Sequence, residues 1–423
     1  MMAWNTGRVA TVLAVVGVAG CSAGSPPTGS STPAPADACQ APQGSLAQAQ
    51  QLASAQGSFA LAFFGPAATA AGGGNVVLSP TSVATTLTMV DTGAAGETDA
   101  QLRAGLHLPA GGGAAAPAYA AMACRDSDDG ASAGGRLSLA NGIWTTQGEA
   151  LQPAFASTLS DGYAAPVQQA SFASDPGSAA SAVNAWVSQQ TAGQIPALLQ
   201  PGDVDASTRL LLVDAVYFKG AWRTAFDPAR TYGGAFTLGD GTSVTVPTMH
   251  GHLALLASKG PGTLFAELGY EGGALAMDLV LPARGTTVAQ LASSLTPASL
   301  AAGLASMTSQ TLDVAVPKFS LTTHVELAPV LAGLGMGDPF DPTRADLSGI
   351  DGAHDLYVGQ VVHEATLEVD ESGAVAAAGT GGAVEPTIAE GTVELDRPFL
   401  FFVRDTRTGS LLFMGQVTDP TRH

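Results

Sequence analysis

The sequence predicts an α+β fold on three observations. Helix-period apolar spacing concentrates before about residue 190, apolar and β-branched runs of strand length dominate after it, and no regular strand–helix alternation links the two halves. Residues 47–64 are rich in Ala, Leu and Gln at helical spacing. Val76, Val77 and Leu78 make a short strand, stopped by Ser79 and Pro80. Ser82 is placed to cap a helix through Val83, Leu87, Met89 and Val90 that Gly93 ends. Residues 137–144 read as a strand, and 179–190 as a helix with Val183, Trp186 and Val187 on one face.

The run 209–218 is apolar throughout, the mark of a strand buried on both faces. Residues 235–238 and 243–246, separated by a Gly-Asp-Gly turn, read as a hairpin. Further strands are expected at 274–281, 311–316, 360–369, 399–403 and 411–417. The glycine triplets at 72–74 and 111–113 read as loop insertions.

Hydrophobic residues make up 46% of the 423, enough to bury a large core. The net charge of −19 and the lack of any Lys/Arg run exclude a phosphate backbone as partner, because such binding rests on cationic groups releasing counterions. Lysine occurs only at 219, 259 and 318, which reads as compositional bias. No C-x-x-C, H-E-x-x-H or P-loop pattern is present, so no enzyme, metal site or cofactor is expected.

The N-terminus carries Arg8 and then an apolar stretch, Val9 to Val18, too short to span a bilayer. It reads as an export signal over residues 1–20. Its end, Val18-Ala19-Gly20-Cys21, resembles the bacterial lipobox, which implies lipidation of Cys21 and anchoring to a cell-envelope membrane, on its extracellular or periplasmic face. Residues 21–38, nearly all Ser, Gly, Pro, Thr and Ala, read as a flexible tether, leaving 39–423 as one domain. Cys39 and Cys124 could form one disulfide in an oxidising compartment; two independent thiols are the alternative.

Several stretches, in order along the chain, resemble the serpin family. They are Asn75-Val-Val-Leu-Ser-Pro-Thr-Ser82, Leu139-Ala-Asn-Gly-Ile-Trp144, Asn184-Ala-Trp-Val187 with Thr191-Ala-Gly-Gln-Ile195, Leu212-Val-Asp-Ala-Val-Tyr-Phe-Lys-Gly-Ala-Trp222, Asp396-Arg-Pro-Phe-Leu-Phe-Phe-Val403 and Phe413-Met-Gly415. The resemblance implies a helical N-terminal half packed on three β-sheets, one of them a large central mixed sheet, with an exposed reactive loop at about 371–395. It also implies a monomer that traps a serine protease, an inhibitor with no catalytic residue of its own.

Glu371-Ser-Gly-Ala-Val-Ala-Ala-Ala-Gly-Thr380 resembles the hinge of that loop. The family's cut loop enters the central sheet. In an extended strand Ala374, Ala376, Ala378 and Thr380 share one face, small enough to pass between strands, with Ala377 on the other and Gly373 at the turn. Counting from Glu371 along the family's loop places the attacked bond at Thr387–Ile388; a slipped register would use Glu385, Ile388 or Glu390 instead. Thr387 follows Pro386, which suits elastase-like or subtilisin-like proteases; no Arg or Lys for a trypsin-like enzyme lies between 371 and 396. By the same correspondence Ser79, Ser82, Asp214 and His363 fall where the sheet opens, and Trp222 lies beneath the loop's entry. The family usually has Asn at the position of Asp214; the carboxylate here could pair with His363 and make opening depend on pH. The competing function is a serpin-fold protein that binds a partner at the envelope without inhibiting.

Overall fold

Ser45 starts the first described helix through a capping box with Gln48: its side chain accepts from Gln48 N, and Gln48 Oε1 accepts from Ser45 N at 2.8 Å. The computed structural model describes residues 45–108, 111–258, 262–373 and 391–422. The first half contains α1 (Leu46–Ala70), β1 (Val76–Leu78), α2 (Pro80–Asp91), α3 (Gly96–Gly105), α4 (Gly112–Ser132), β2 (Arg136–Thr146), α5 (Pro153–Gly162), β3 (Gln168–Ala170) and α6 (Pro176–Gln190). Then come β4 (Leu210–Lys219), β5 (Thr231–Thr237), β6 (Ser243–Ala257), β7 (Leu264–Gly269) and β8 (Leu275–Leu281). After α7 (Val288–Ser294) and α8 (Pro297–Ala305) follow β9 (Thr308–Pro317), β10 (Phe319–Glu326), α9 (Ala328–Gly333), α10 (Ser348–Asp351) and β11 (Gln360–Val369). The chain closes with β12 (Thr392–Glu394), β13 (Phe399–Asp405) and β14 (Leu411–Val417).

Two expectations are corrected. The α2 cap is Ser79, not Ser82: the Ser79 side chain accepts from Ser82 N, and Pro80, whose missing N–H costs nothing in the first turn, begins the helix. The glycines at 112 and 113 open α4 rather than extending a loop, because Asp91 Oδ2 accepts from Gly112 N at 2.5 Å and binds that helix start to the end of α2.

Five strands, in the order β10-β11-β4-β2-β3, form a mixed sheet. The other nine form a second hydrogen-bonded sheet, because β6 is fifteen residues long and pairs β5 near its start, β9 along most of its length and β7 at its end. The three expected sheets are therefore traced as two among the described residues. Every residue of β4 from Leu210 to Phe218 is buried. Leu211, Val213 and Ala215 pack toward α6. On the opposite face Leu210 and Leu212 meet the α1–α2 layer, and Val216 and Phe218 meet the nine-stranded sheet. Burial on both faces is what its unbroken apolar run requires.

Candidate functional site

The centre of the five-stranded sheet is unusual in its strand directions. β4 pairs antiparallel with β2 but parallel with β11, in register from Leu211 opposite Gln360 to Phe218 opposite Leu367. Two parallel neighbours joined directly leave room in principle for one strand running antiparallel to both. The chain leaves β11 at Val369 and turns back at residues 370–373, at the end of that same strand pair.

The turn is tightly built. Asp370 Oδ1 accepts from Ser372 N at 3.0 Å, Ser372 Oγ at 2.8 Å and Gly373 N at 2.9 Å. Trp222 Nε1 donates to Asp370 O at 2.8 Å, and the Trp222 ring stacks on Tyr270 at 4.6 Å. The backbone N–H groups of Trp222 and Phe226 donate to Ser372 O and Glu371 O. Gly373 has φ +72°, and a Cβ there would lie 2.3 Å from Gly220 O and 2.5 Å from Trp222 N. Only glycine fits.

Two lysines fasten this root. Lys318 Nζ lies 2.6 Å from Glu371 Oε2, and Lys219 Nζ lies 3.2 Å from Asp370 Oδ2 and 2.9 Å from Glu368 Oε2. Burial works against ionisation of both turn carboxyls. For Asp370 the hydrogen bond from Ser372 and the contact with Lys219 outweigh it, and for Glu371 the contact with Lys318 does, so both are held below the usual carboxylate range.

Midway down the sheet three polar side chains form one row on the face toward α2. Asn141 of β2 is in register with Asp214 of β4, which is in register with His363 of β11. Asp214 and His363 are fully buried. His363 Nδ1 is 2.5 Å from Asp214 Oδ1, Ser79 N donates to His363 Nε2 at 3.2 Å, and Thr86 Oγ1 donates to Asp214 Oδ2 at 3.3 Å. Ser82 Oγ donates to Asn141 Oδ1 at 2.7 Å, and Asn141 Nδ2 donates to Ser82 O at 3.1 Å. The start of α2 thus clasps all three strands. A strand entering between β4 and β11 would move them from about 4.8 Å to about 10 Å apart, breaking the Asp214–His363 bond.

Of the residues the sequence singled out, Ser79, Ser82, Asp214 and His363 come together here, while Glu371, Gly373 and Trp222 come together at the root. Ala374, Ala376, Ala377, Ala378, Thr380, Thr387 and Ile388 lie outside the described residues, as do Cys21 and Cys39. Cys124 is disulfide-bonded. Sequence reasoning missed Asn141, Asp370, Lys219 and Lys318 as working parts. Their signal was available in part: two of the three lysines in the chain are spent on this one turn. Among the described residues no group of three or more His, Cys, Asp or Glu is placed to hold a metal ion.

Comparison with known proteins agrees with this geometry. The family profile described as Serpin (serine protease inhibitor) matches residues 54–420. A leukocyte elastase inhibitor from Bos taurus is 33% identical over 387 residues, covering 88% of this chain and all of the relative. The solved structure of native protease nexin-1 with heparin superposes with a TM-score of 0.80 at 28% identity, over 88% of this chain and 100% of that one. The native stressed conformation of an Arabidopsis serpin, AtSerpin1, superposes with a TM-score of 0.79 at 29% identity, over 88% and 99%. The chain belongs to the serpin family, whose relatives are serine protease inhibitors.

Proposed function

We propose that this protein is a suicide inhibitor of serine proteases of the elastase or subtilisin type, held at the cell envelope by a lipid on Cys21. The protease serine hydroxyl attacks the Thr387 carbonyl. The bond to Ile388 breaks, the new amine leaves with a proton, and an ester joins Thr387 to the enzyme. The freed segment beginning at Ala374 then runs back from Gly373 between β4 and β11, antiparallel to both, and carries the protease with it before water cleaves the ester. The observation that carries this reading is the direct parallel pairing of β4 with β11 at the strand end where the chain turns back. The small residues 374, 376 and 378 support it, since a strand face of alanines enters a packed sheet without burying charge.

The test is incubation with pancreatic elastase and subtilisin. An SDS-stable complex is expected, with the cut mapped to Thr387–Ile388. The clipped protein is expected to melt well above the intact one, since insertion completes the sheet. Clean cleavage with no complex and no gain in heat resistance sinks the inhibitor reading and favours the envelope-binding role. Ala374→Arg is expected to turn inhibitor into substrate, because insertion would bury an unpaired charge. For the anchor, Cys21→Ser is expected to release the protein from membranes.

A further inference from the structure

We propose that the wedge where β6 and β7 splay apart is a binding cleft for a short extended segment of a second polypeptide, which pairs with the open edge of β6 and sets a carboxylate on Arg223. Occupancy of this cleft is a property separate from the inhibitor reading above.

Register fixes which backbone groups of β6 are open. Thr248 lies opposite Pro317 of β9, and one step further Lys318 N donates to Pro247 O at 2.9 Å. Bonded residues alternate in an antiparallel pair. Met249, Gly251, Leu253, Leu255 and Ala257 therefore spend their N–H and C=O groups on β9, and the even-numbered residues point theirs the other way. On that other side β5 pairs with β6 only as far as Met249, and β7 pairs with it only at Leu256 and Ala257. His250, His252 and Ala254 are left between them, with no backbone partner on that side among the described residues. They make about 13 Å of open strand edge.

The edge faces a cleft and not a neighbouring strand. Residues 222–226 cross its mouth, and Arg223 N donates to Gly269 O at 2.8 Å, which closes the β7 wall. The space that remains is about 390 Å³, with Leu253, Leu255, Leu268 and Phe226 as an apolar floor. Unpaired N–H and C=O groups on a strand edge are a template for an incoming strand. Such a strand gains main-chain hydrogen bonds from the edge and turns alternate side chains onto the floor.

The chemistry of the guest follows from Arg223. Its side chain is exposed, and its guanidinium lies against Gly269, where a Cβ would come within 2.8 Å of Nη2. Among the described residues it has no ion pair and no side-chain hydrogen bond, in a chain with 35 acidic residues against 16 basic ones. The carboxylate that lines the cleft, Glu267, is already taken by Arg404 Nη2 at 2.8 Å. The rigid fork of donors on Arg223 is left for a carboxylate that the guest brings. The chain's charge of −19 opposes an acidic guest at long range. Salt screens that repulsion beyond about 8 Å at physiological ionic strength, whereas the pairing with Arg223 is a contact.

The crossing segment also fastens the loop root, since the N–H groups of Trp222 and Phe226 donate to Ser372 O and Glu371 O. A seated guest therefore touches the segment on which the root is hung.

The experiment titrates the full chain, without any protease, into fluorescein-labelled hexapeptides of alternating Val and Thr with one Glu placed in turn at each position. Fluorescence anisotropy reads the binding. At least one Glu peptide is expected to saturate below about 1 mM. Its Gln twin is expected to bind roughly tenfold more weakly, and Arg223→Gln to erase the difference between the two. N-methylation of alternate peptide residues, which removes the ladder donors without touching the protein, is expected to abolish binding. Ala254→Pro, which deletes one donor on the open edge and none toward β9, is expected to weaken every peptide alike. No saturation by any Glu peptide below about 1 mM overturns the proposal. Binding that survives N-methylation overturns the strand pairing, and a Glu preference unchanged in Arg223→Gln overturns the carboxylate site. None of these outcomes bears on whether the protein traps a protease.

Discussion

His363 Nδ1 sits 2.5 Å from Asp214 Oδ1, across the parallel pair β11–β4, with both side chains fully buried. Ser79 N–H points at the other ring nitrogen, which must therefore accept, so Nδ1 carries the proton and donates to the carboxylate.

Asp214→Ala removes the acceptor and leaves a buried N–H without a partner, which costs about 1–3 kcal/mol. The expected outcome is a lower denaturant midpoint and a lower melting temperature. Asp214→Asn keeps an acceptor oxygen and is expected to lose less. Equal losses for Ala and Asn would show that the hydrogen bond is not what holds the strands.

Gly373→Ala places a methyl 2.3 Å from Gly220 O and 2.5 Å from Trp222 N, both backbone atoms, at a φ of +72°. The backbone conformation alone costs an L-residue roughly 1–2 kcal/mol, and the contacts add to it. The turn is expected to open and Trp222 to become solvated, read as a red shift in its emission. Unchanged emission and stability would contradict the crowding described at this turn.

The loop root is expected to loosen in acid. Asp370 and Glu371 have depressed pKa values, so the stability they contribute is full above the unfolded values of about 3.9 and 4.3 and is lost as pH falls through the lower folded ones. Limited proteolysis of the root between pH 2 and 7 is expected to show an increase only below about pH 4. Lys318→Ala removes the group that favours the ionised Glu371, and is expected to move that increase to higher pH.

Asp91 behaves in the opposite sense. Burial pushes its carboxyl up to about 7, against the hydrogen bond from Gly112 N and with Asp99 adding to the rise, and Oδ1 has no partner. Ionising it in the folded state is unfavourable, so stability falls as pH rises from about 4 toward 7. Asp91→Asn keeps an acceptor for Gly112 and is expected to raise stability at pH 7 by on the order of 1 kcal/mol or more. Thermal melts at pH 4 and pH 7 check this: the gain should appear at pH 7 and vanish at pH 4.

Much of the fold was legible because its elements announce themselves locally. The strands at 76–78, 210–219, 275–281, 360–369 and 411–417 were placed within a residue or so, since each is a short run of apolar or β-branched residues with a clear stop. The α4 helix was not, because Gly111–Gly113 and Pro117 disfavour a helix locally and only packing against α1, α2 and β2 makes one. The short strand β3 and the helices α7 to α9 were also missed; three to nine residues give too little period to read.

Sequence alone determined the family, through motifs in family order, and singled out Ser79, Ser82, Asp214 and His363 as residues to watch, with the alanines after Gly373 as an expected hinge. Only the tertiary structure decided how they act, for instance that Asn141 completes their row and that Lys219 and Lys318 clamp the turn at 370–373. The reason is distance along the chain. Asp214 and His363 are 149 residues apart, and their pairing exists because β4 and β11 were brought side by side. Spacing reveals which residues share a helix face or a strand face, and register between remote strands is set by the packing of the whole sheet.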